Sequence, residues 1–581
     1  SEFFGMTEIT ADDAAVCATG TALPTATEFS IPAEPGDYES LEGMLVTMPQ
    51  SLAILETFEY ARYGTIDIGL DRQMTPTAVV EPGSPEFDAL EAKNLAERIT
   101  IDDGRFVQNP DPAIHPNGNE FTLANSFRGG DLVTNLTGVL DHRRDGTDNA
   151  TIRWRVQPTE GADFEAVNLR AENGVPEVGG TTKVASFNVL NYFTTLNSRG
   201  ANDAEEFERQ ESKIVSAIAK IDADVVGLIE IENSVDDTPL KTLVAALNEK
   251  VGTPGTYDYI PTGKLGTDVI TTALIYKPAE VAPAGVHKVL DSTVDPDFNT
   301  AFNRPALAQT FTDLEAGGEV TMVVNHLKSK GSACAGDPDL GDGAGNCNVT
   351  RTKAAAALAR WLAGDPTGQG AGNEIIMGDL NSYDKEDPID ELREAGYNDL
   401  LFEYQDENAY SYVFDGQLGY LDYALAGTAL NERVTGAAAW HINSDEPNII
   451  DYDTGFKLPA QDALWAPDEW RSSDHDPVIV GLDLDVIAPE LSVTASPDTI
   501  LPPNSQWRTV DIDIDVTDNI DTDVTVELET TAVGHKAKID VISNTEVRVL
   551  ARQGAVYTLT YTATDDSGNS TTESVTIRVG P

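Results

Sequence analysis

Between residues 181 and 484, six apolar runs of strand length end or begin in an acid, an amide or a histidine. Asn188 ends "ASFN", Glu230 ends "VVGLIE", and Asn325 and His326 end "TMVVNH". Asp379 and Asn381 follow "EIIMG", Asp422 sits in "GYLDYALA", and Asp474 and His475 precede "PVIVGL". A strand end beside a turn is where a rigid sheet presents side chains to solvent. A lone Asp after Gly is ordinarily a turn residue, and a lone His after an apolar strand is ordinarily structural. Repeated along one stretch, the pattern points to a sheet-built domain whose strand ends carry chemistry.

The pattern changes on either side of this stretch. Residues 1–38 are small, polar and Pro-containing and read as a weakly structured lead-in. Over 39–158, runs such as "LEGMLVTM", "YGTIDIGL", "RITIDDG" and "GDLVTNLTGVLDHR" alternate with Gly/Asp turns, as in a small all-β barrel. The Gly/Pro/Glu-rich segment 159–180 reads as a linker. Over 181–484 strands mix with helices. "DAEEFERQESKIVSAIAKI" carries Phe207, Ile214, Ile218 and Ile221 at helical spacing with acids in its first turn, and "TRTKAAAALARWLAG" precedes the strand "NEIIMGDLN". Residues 487–581 hold only strand-like runs with Asp/Gly turns, which suggests a seven-stranded sandwich. The chain is therefore multidomain: barrel, α+β domain, sandwich.

Composition narrows the partners. Hydrophobic residues make up 40% of the 581, enough for sizeable cores. Against 38 Lys+Arg stand 97 Asp+Glu, a net charge of −59 spread along the chain. Such a surface keeps a protein soluble in salty surroundings and, unaided, repels polyanions. At seawater-like salt the Debye length falls to a few Å, so local cations at a site decide. No apolar run approaches the ~20 residues that span a bilayer, so no membrane insertion is expected. The start, "SEFFGMTE", does not read as a signal peptide.

Of three cysteines, Cys334 and Cys347 flank the Gly/Asp-rich loop "CAGDPDLGDGAGNC", and Cys17 is left over. A disulfide there restricts the unfolded chain. Zinc is the rival, but no further Cys or interleaved His stands near. A secreted context favours the disulfide.

The strand-end residues form a coherent inventory. Carboxylates and amide oxygens suit a hard divalent ion, Mg²⁺, Mn²⁺ or Ca²⁺. Two imidazoles move protons near neutral pH, and Arg304 in "NRPALAQTF" can hold an anionic oxygen. Together they fit hydrolysis of a phosphate ester.

In order, "FNVLN", "VVGLIEIEN", "TALIYKP", "NRPALA", "VVNHLKSK", "GDLNS", "GYLDYAL" and "SSDHDPV" resemble the endonuclease/exonuclease/phosphatase superfamily, the deoxyribonuclease I-like fold. Secreted bacterial nucleases of that superfamily are the nearest in pattern. In those an oligonucleotide/oligosaccharide-binding-like (OB-like) barrel precedes the catalytic domain, and "LEGMLV", "YGTIDI", "ITIDDG" and "RGGDLVTNLTGVL" resemble it. The resemblance implies a four-layer αββα sandwich over 181–484, after an OB-like barrel and before an immunoglobulin-like (Ig-like) sandwich. It makes Glu230 the principal metal ligand, assisted by Asn188, with Asp474 a ligand of the same or a second ion. Periodicity alone does not choose Glu230 over Glu232, because i and i+2 share a strand face. Asp379 would orient or deprotonate the attacking water, and Asn381 would hold the scissile phosphate or that Asp. His475 and Asp422 would form a His–Asp couple. His326, Asn325 and Arg304 would meet the phosphate, with His326 a candidate general acid. Which histidine gives the proton is left open, as is the choice between one ion and two.

The implied function is a secreted or cell-surface, metal-dependent deoxyribonuclease of low sequence specificity, monomeric and scavenging extracellular DNA, with cleavage of RNA left open. The alternatives are a phosphomonoesterase or sphingomyelinase-like phospholipase of the same superfamily, or a non-catalytic adhesin. Two acidic turns, Thr517–Asp523 and Thr564–Asn569, could take Ca²⁺ structurally, though solvated turns are the favoured reading. Arg351, Lys353 and Arg360 offer a phosphate-tracking edge or ordinary helix-surface charge.

Overall fold

A computed structural model of the chain describes residues 2–3, 6–7, 11, 15–144 and 152–580. Most of the lead-in up to residue 14, and 145–151 of the barrel, lie outside the described residues. The chain divides into two compact units, Ser1–Phe311 with Val320–Leu482, and Thr312–Glu319 with Asp483–Pro581.

The first unit opens with a sheet that closes on itself. Leu45–Met48 and Leu52–Glu56 are two halves of one bent strand, as are Leu132–Thr134 and Leu136–Arg144. Both halves of each pair across. Ile66–Gly69, Arg98–Ile101 and Ile152–Pro158 complete the ring, the last two running parallel. Closure removes exposed edges, which explains how short strands hold together. The core takes in Phe29 and Ile31, so the barrel begins before residue 39. Segment 159–180 is pinned rather than free: Asp163–Glu165 pairs with Leu132–Thr134, and Asp131 Oδ1 accepts from Val167 N and Asn168 N.

Two six-stranded sheets follow. One runs Asp258–Tyr259, Ile270–Tyr276, Val225–Glu232, Thr182–Tyr192, Val478–Leu482, Val434–Ala439. The other runs Val281–Leu290, Ala306–Asp313, Glu319–His326, Glu374–Asp379, Asp422–Ala426, Asn398–Asp399. Each has one central parallel pair, and parallel neighbours need a long crossover. The helices Ala204–Ile221 and Asn348–Ala363 supply these crossovers. Asp203 caps the first by accepting from Glu205 N and Glu206 N, and Ile214, Ile218 and Ile221 are buried against the first sheet. A Cβ on Gly227 would stand 2.7 Å from Val324, so the sheets meet closely there. The barrel and this domain share structure. Gln73–Met74 pairs with Gln417–Gly419, and Ile449, Ile450 and Leu464 enter the barrel core.

Cys334 and Cys347 form the expected disulfide, and Cys17 is exposed and free. The loop they close is anchored: Asp337 accepts from Thr350 N and Oγ1 at the start of Asn348–Ala363. Arg351 is wholly buried, donating to the carbonyls of Ala344, Asn346 and Lys328. Arg360 pairs with Asp295 and Asp297. Arg351 is therefore a brace for this loop and no part of a phosphate-tracking edge, because a buried guanidinium held by three carbonyls and Ser382 Oγ is not offered to a ligand.

The second unit holds two four-stranded sheets around a core that includes Val510, Val547, Tyr557 and Tyr561. The two-residue strand Thr499–Ile500, too short to show as a pattern, brings the described strands to eight rather than seven. No described helix is long and apolar enough to cross a membrane.

Candidate active site

Two irregularities in the first sheet set the site. Between Ile229 and Ile231 the pairing with Ile270–Tyr276 slips, Ile229 facing Thr272 and Ile231 facing Thr271. Glu230 is the extra residue, at φ 68°. A non-glycine residue in that region costs of order 1–3 kcal/mol, which surrounding structure must sustain. The neighbouring strand is irregular between Asn188 and Tyr192, with Leu190 and Asn191 also at positive φ. The two bulges lock together where Asn191 N donates to Glu230 Oε2 at 3.1 Å. Bulges re-aim side chains. Here the bulge breaks the shared-face rule, so Glu230 and Glu232 part company. Glu232 Oε2 accepts from Thr194 N, Thr194 Oγ1 and Thr195 N and holds the following loop. Burial pushes the Glu230 carboxyl up, and the Asp474 charge adds to it.

The second sheet supplies the other half. His326 and Asp379 end adjacent parallel strands in register, and Asp422 stands directly opposite Asp379 on the next. Gly378 lies between, at φ 118°, and a Cβ there would strike Asn325 O at 2.3 Å. Only glycine lets these strand ends approach so closely. Asp379 Oδ1 accepts from Asn381 N at 2.8 Å, and Asn381 Nδ2 donates to Leu327 O. His326 Nε2 lies 3.6 Å from Asp379 Oδ2, 3.9 Å from Glu230 Oε1 and 3.4 Å from Arg304 Nη1. Arg304 is itself ion-paired with Asp268 at 3.0 Å.

His475 enters from the first sheet and meets Asp422 on the second, Nδ1 to Oδ2 at 2.7 Å. Ser411 Oγ donates to the same oxygen at 2.7 Å. Tyr412 stacks on the imidazole with centroids 4.5 Å apart. A histidine bound through Nδ1 presents Nε2 outward in a fixed orientation. Burial alone would lower the His475 pKa; the Asp422 and Asp474 charges outweigh it and raise it well above the ordinary value. His326 goes the other way, held well below its ordinary value by burial and then by Arg304. Asp379 is pushed up to about 7, first by burial, with the Asp422 charge adding. Carboxyl and imidazole groups in one pocket are thus driven apart in acidity, the condition for acid–base work near neutral pH.

Asn188 is buried beside Glu230's strand, and its Oδ1 accepts only from Leu190 N, 3.1 Å away. Glu230, Asp474 and Asn188 offer two carboxylates and an amide oxygen without thiolate, the donor set of a hard divalent cation. Magnesium needs one or two such carboxylates and keeps waters for the rest. Asn325 stands apart: it is fully buried, with Nδ2 turned to Val323 O, and presents nothing to a phosphate. Asp476 is a structural hub, accepting from Asn443 N, Ser444 N and His441 Nδ1. Ser411, Tyr412, Asp268 and Arg199 escaped the sequence reading. Ser411 and Asp268 sit in bends and Tyr412 opens the three-residue strand Tyr412–Phe414, with no distinguishing spacing. Arg199 is exposed, and its charge bears on both Glu230 and His326.

The model of the endonuclease/exonuclease/phosphatase family matches residues 185–475, half of the chain, from the strand of Asn188 to His475. The chain belongs to this family. All the residues brought together above, from Asn188 to His475, fall inside the family's span. Among curated proteins none matches. Solved structures similar to this chain include a family member from Bacteroides thetaiotaomicron, 18% identical, covering 52% of this chain and 93% of that one at TM-score 0.34. A mannosyl-6-phosphatase from the same organism is 20% identical over 52% and 99%, TM-score 0.35. A 3′ phosphatase from Neisseria bound to product DNA hairpin is 15% identical over 52% and 99%, TM-score 0.32.

Proposed function

We propose that the chain is an extracellular, metal-dependent nuclease that hydrolyses DNA phosphodiesters with little sequence specificity, in the service of scavenging extracellular DNA. The observation that carries this reading is a 310 Å³ cleft lined by Asp474 and by Tyr412, which stacks on His475. Barrel residues Phe58 and Arg153, together with Phe414, form its other wall. A cleft shared by two domains, with exposed aromatic rings, suits a polymer that extends beyond the scissile bond. The strand order of the barrel, with Arg98–Ile101 running parallel to Ile152–Pro158, supports an OB-like identity, and the paired four-stranded sheets of the second unit an Ig-like one.

Glu230, Asn188 and Asp474 are the residues that would hold a divalent ion, Mg²⁺ or Mn²⁺; when bound, such an ion neutralises charge on the phosphate. Asp379 takes the proton of the attacking water. His475, held protonated by Asp422, gives its Nε2 proton to the leaving oxygen as the P–O bond breaks. His326 stays neutral, since Arg304 Nη1 faces its Nε2, and the Arg304 guanidinium steadies the phosphate oxygens. This assigns the donor role to His475 rather than His326. The enzyme acts as a monomer on DNA, with no membrane step.

The phosphomonoesterase and phospholipase readings keep the site and change the substrate. The three diverge in one assay that measures acid-soluble nucleotide from DNA, inorganic phosphate from a nucleoside monophosphate and phosphocholine from sphingomyelin. Nucleotide release in excess of the other two is expected. Release of phosphate or phosphocholine alone would reassign the substrate.

A further inference from the structure

The second unit carries a cluster of acids that the catalytic reading leaves unused. Asp485 precedes the first strand of the sandwich, Glu490–Ser496. Asp518 and Asp521 lie in the turn between Trp507–Thr517 and Thr525–Val533, and Asp565 in the hairpin between Val556–Thr564 and Ser570–Val579. Three separate segments thus meet at one end of the sandwich. Carboxylate oxygens of Asp485, Asp521 and Asp565 all lie within 4.8 Å of one another.

Solvated turns do not look like this. Asp485 is 4% exposed and Asp565 6%. Each spends one oxygen on its own loop. Asp485 Oδ1 accepts from Ile487 N, Asp565 Oδ1 from Asn569 N, and Asp518 Oδ1 from Ile520 N and Asp521 N. Asp521 Oδ2 accepts from Asp566 N. The second oxygens of Asp485, Asp518 and Asp565 are buried with no hydrogen-bond partner. An unpaired buried carboxylate oxygen is costly, and several of one sign in one place are more so. Among the described residues no Lys or Arg forms an ion pair with these four acids.

We propose that Asp485, Asp521 and Asp565, with Asp518 beside them, form a calcium site that ties together the entry segment and two turns of the sandwich. Oxygens that share one Ca²⁺ at about 2.4 Å stand no more than about 4.8 Å apart, which these satisfy. The donors are all oxygen, with neither His nor Cys, which disfavours zinc. Ligands from three separate segments suit the irregular six-to-eightfold shell of Ca²⁺ better than the strict octahedron of Mg²⁺. Main-chain carbonyls and water complete the shell.

The test is calorimetric titration of Ca²⁺ into the whole chain in magnesium-free buffer, with thermal unfolding followed with and without Ca²⁺. The Glu230→Gln chain separates this site from any calcium held at the catalytic centre. Wild type and Glu230→Gln are expected to share a Ca²⁺ site that Asp521→Asn or Asp565→Asn weakens at least tenfold. Asn is nearly isosteric and removes repulsion, so both Asp variants unfold at a higher temperature than wild type in EDTA and respond less to Ca²⁺. A site of unaltered affinity in both variants overturns the proposal. So does calcium binding that disappears with Glu230→Gln alone. Variants that are less stable than wild type in EDTA and respond fully to Ca²⁺ would make the cluster a plain structural turn.

Discussion

With His475→Ala, cleavage of DNA falls by about 10²–10⁴-fold while the fold, followed by circular dichroism, is unchanged. The imidazole hangs on one geometric device, the 2.7 Å bond from Nδ1 to Asp422. That bond fixes the ring, and the Asp422 and Asp474 charges keep it protonated against burial. Asp422→Asn keeps the shape and loses the charge. It is therefore expected to cut the rate by a similar order, with a lowered apparent pKa on the limb of the pH–rate profile that reports the acid. A purely structural role for the pair predicts instead a loss of stability with an unshifted profile. The rate ratio of Asp422→Asn to wild type, measured across pH, decides between them.

The second large effect is Glu230→Gln. Loss of a principal metal-side carboxylate removes several kcal/mol of transition-state stabilisation, about 10³-fold in rate, and raises the metal concentration needed for half-maximal activity. Glu232→Gln is the informative partner. Glu232 accepts from Thr194 N, Thr194 Oγ1 and Thr195 N. Weakening hydrogen bonds to a charged group costs about 1.5–3 kcal/mol of stability, with a small effect on rate. Glu230→Gln goes the opposite way in stability without metal, because burial and Asp474 already penalise its charge. Rates and unfolding midpoints of the two variants should cross. If both lost activity equally, the division of labour at the bulge would be wrong.

That division is where sequence and structure part most instructively. Period-two alternation puts Glu230 and Glu232 on one face, and it takes an inserted residue at φ 68° to separate them. Nothing in "VVGLIEIEN" announces a bulge, because its cause lies in the neighbouring strand, where Asn191 N reaches Glu230. The strand ends, the crossover helices and the disulfide were legible because each is a local pattern: an apolar run ending in a polar residue, a 3.6-residue stripe, two cysteines around a glycine-rich loop. Partners distant in sequence were not. Ser411 and Tyr412 reach the His475–Asp422 couple only through tertiary folding, and Asp268 meets Arg304 in the same way. Asn325 was drawn in by adjacency to His326, yet alternation along a strand sends neighbours to opposite faces. The acidic turns of the sandwich read as solvated because burial is a property of the fold, and Asp565 is buried.

The net charge of −59 makes a polyanionic substrate an unusual partner, so the claim of DNA cleavage at this site meets its most direct test on closed circular plasmid. Wild type and His475→Ala are incubated with the plasmid in Mg²⁺, Mn²⁺ or EDTA across a salt series and resolved on one gel. Nicked and then linear DNA with wild type in Mg²⁺ or Mn²⁺, and intact supercoils with EDTA or with His475→Ala, is the predicted result. Intact supercoils under every divalent condition, or cleavage by His475→Ala at the wild-type rate, would contradict it.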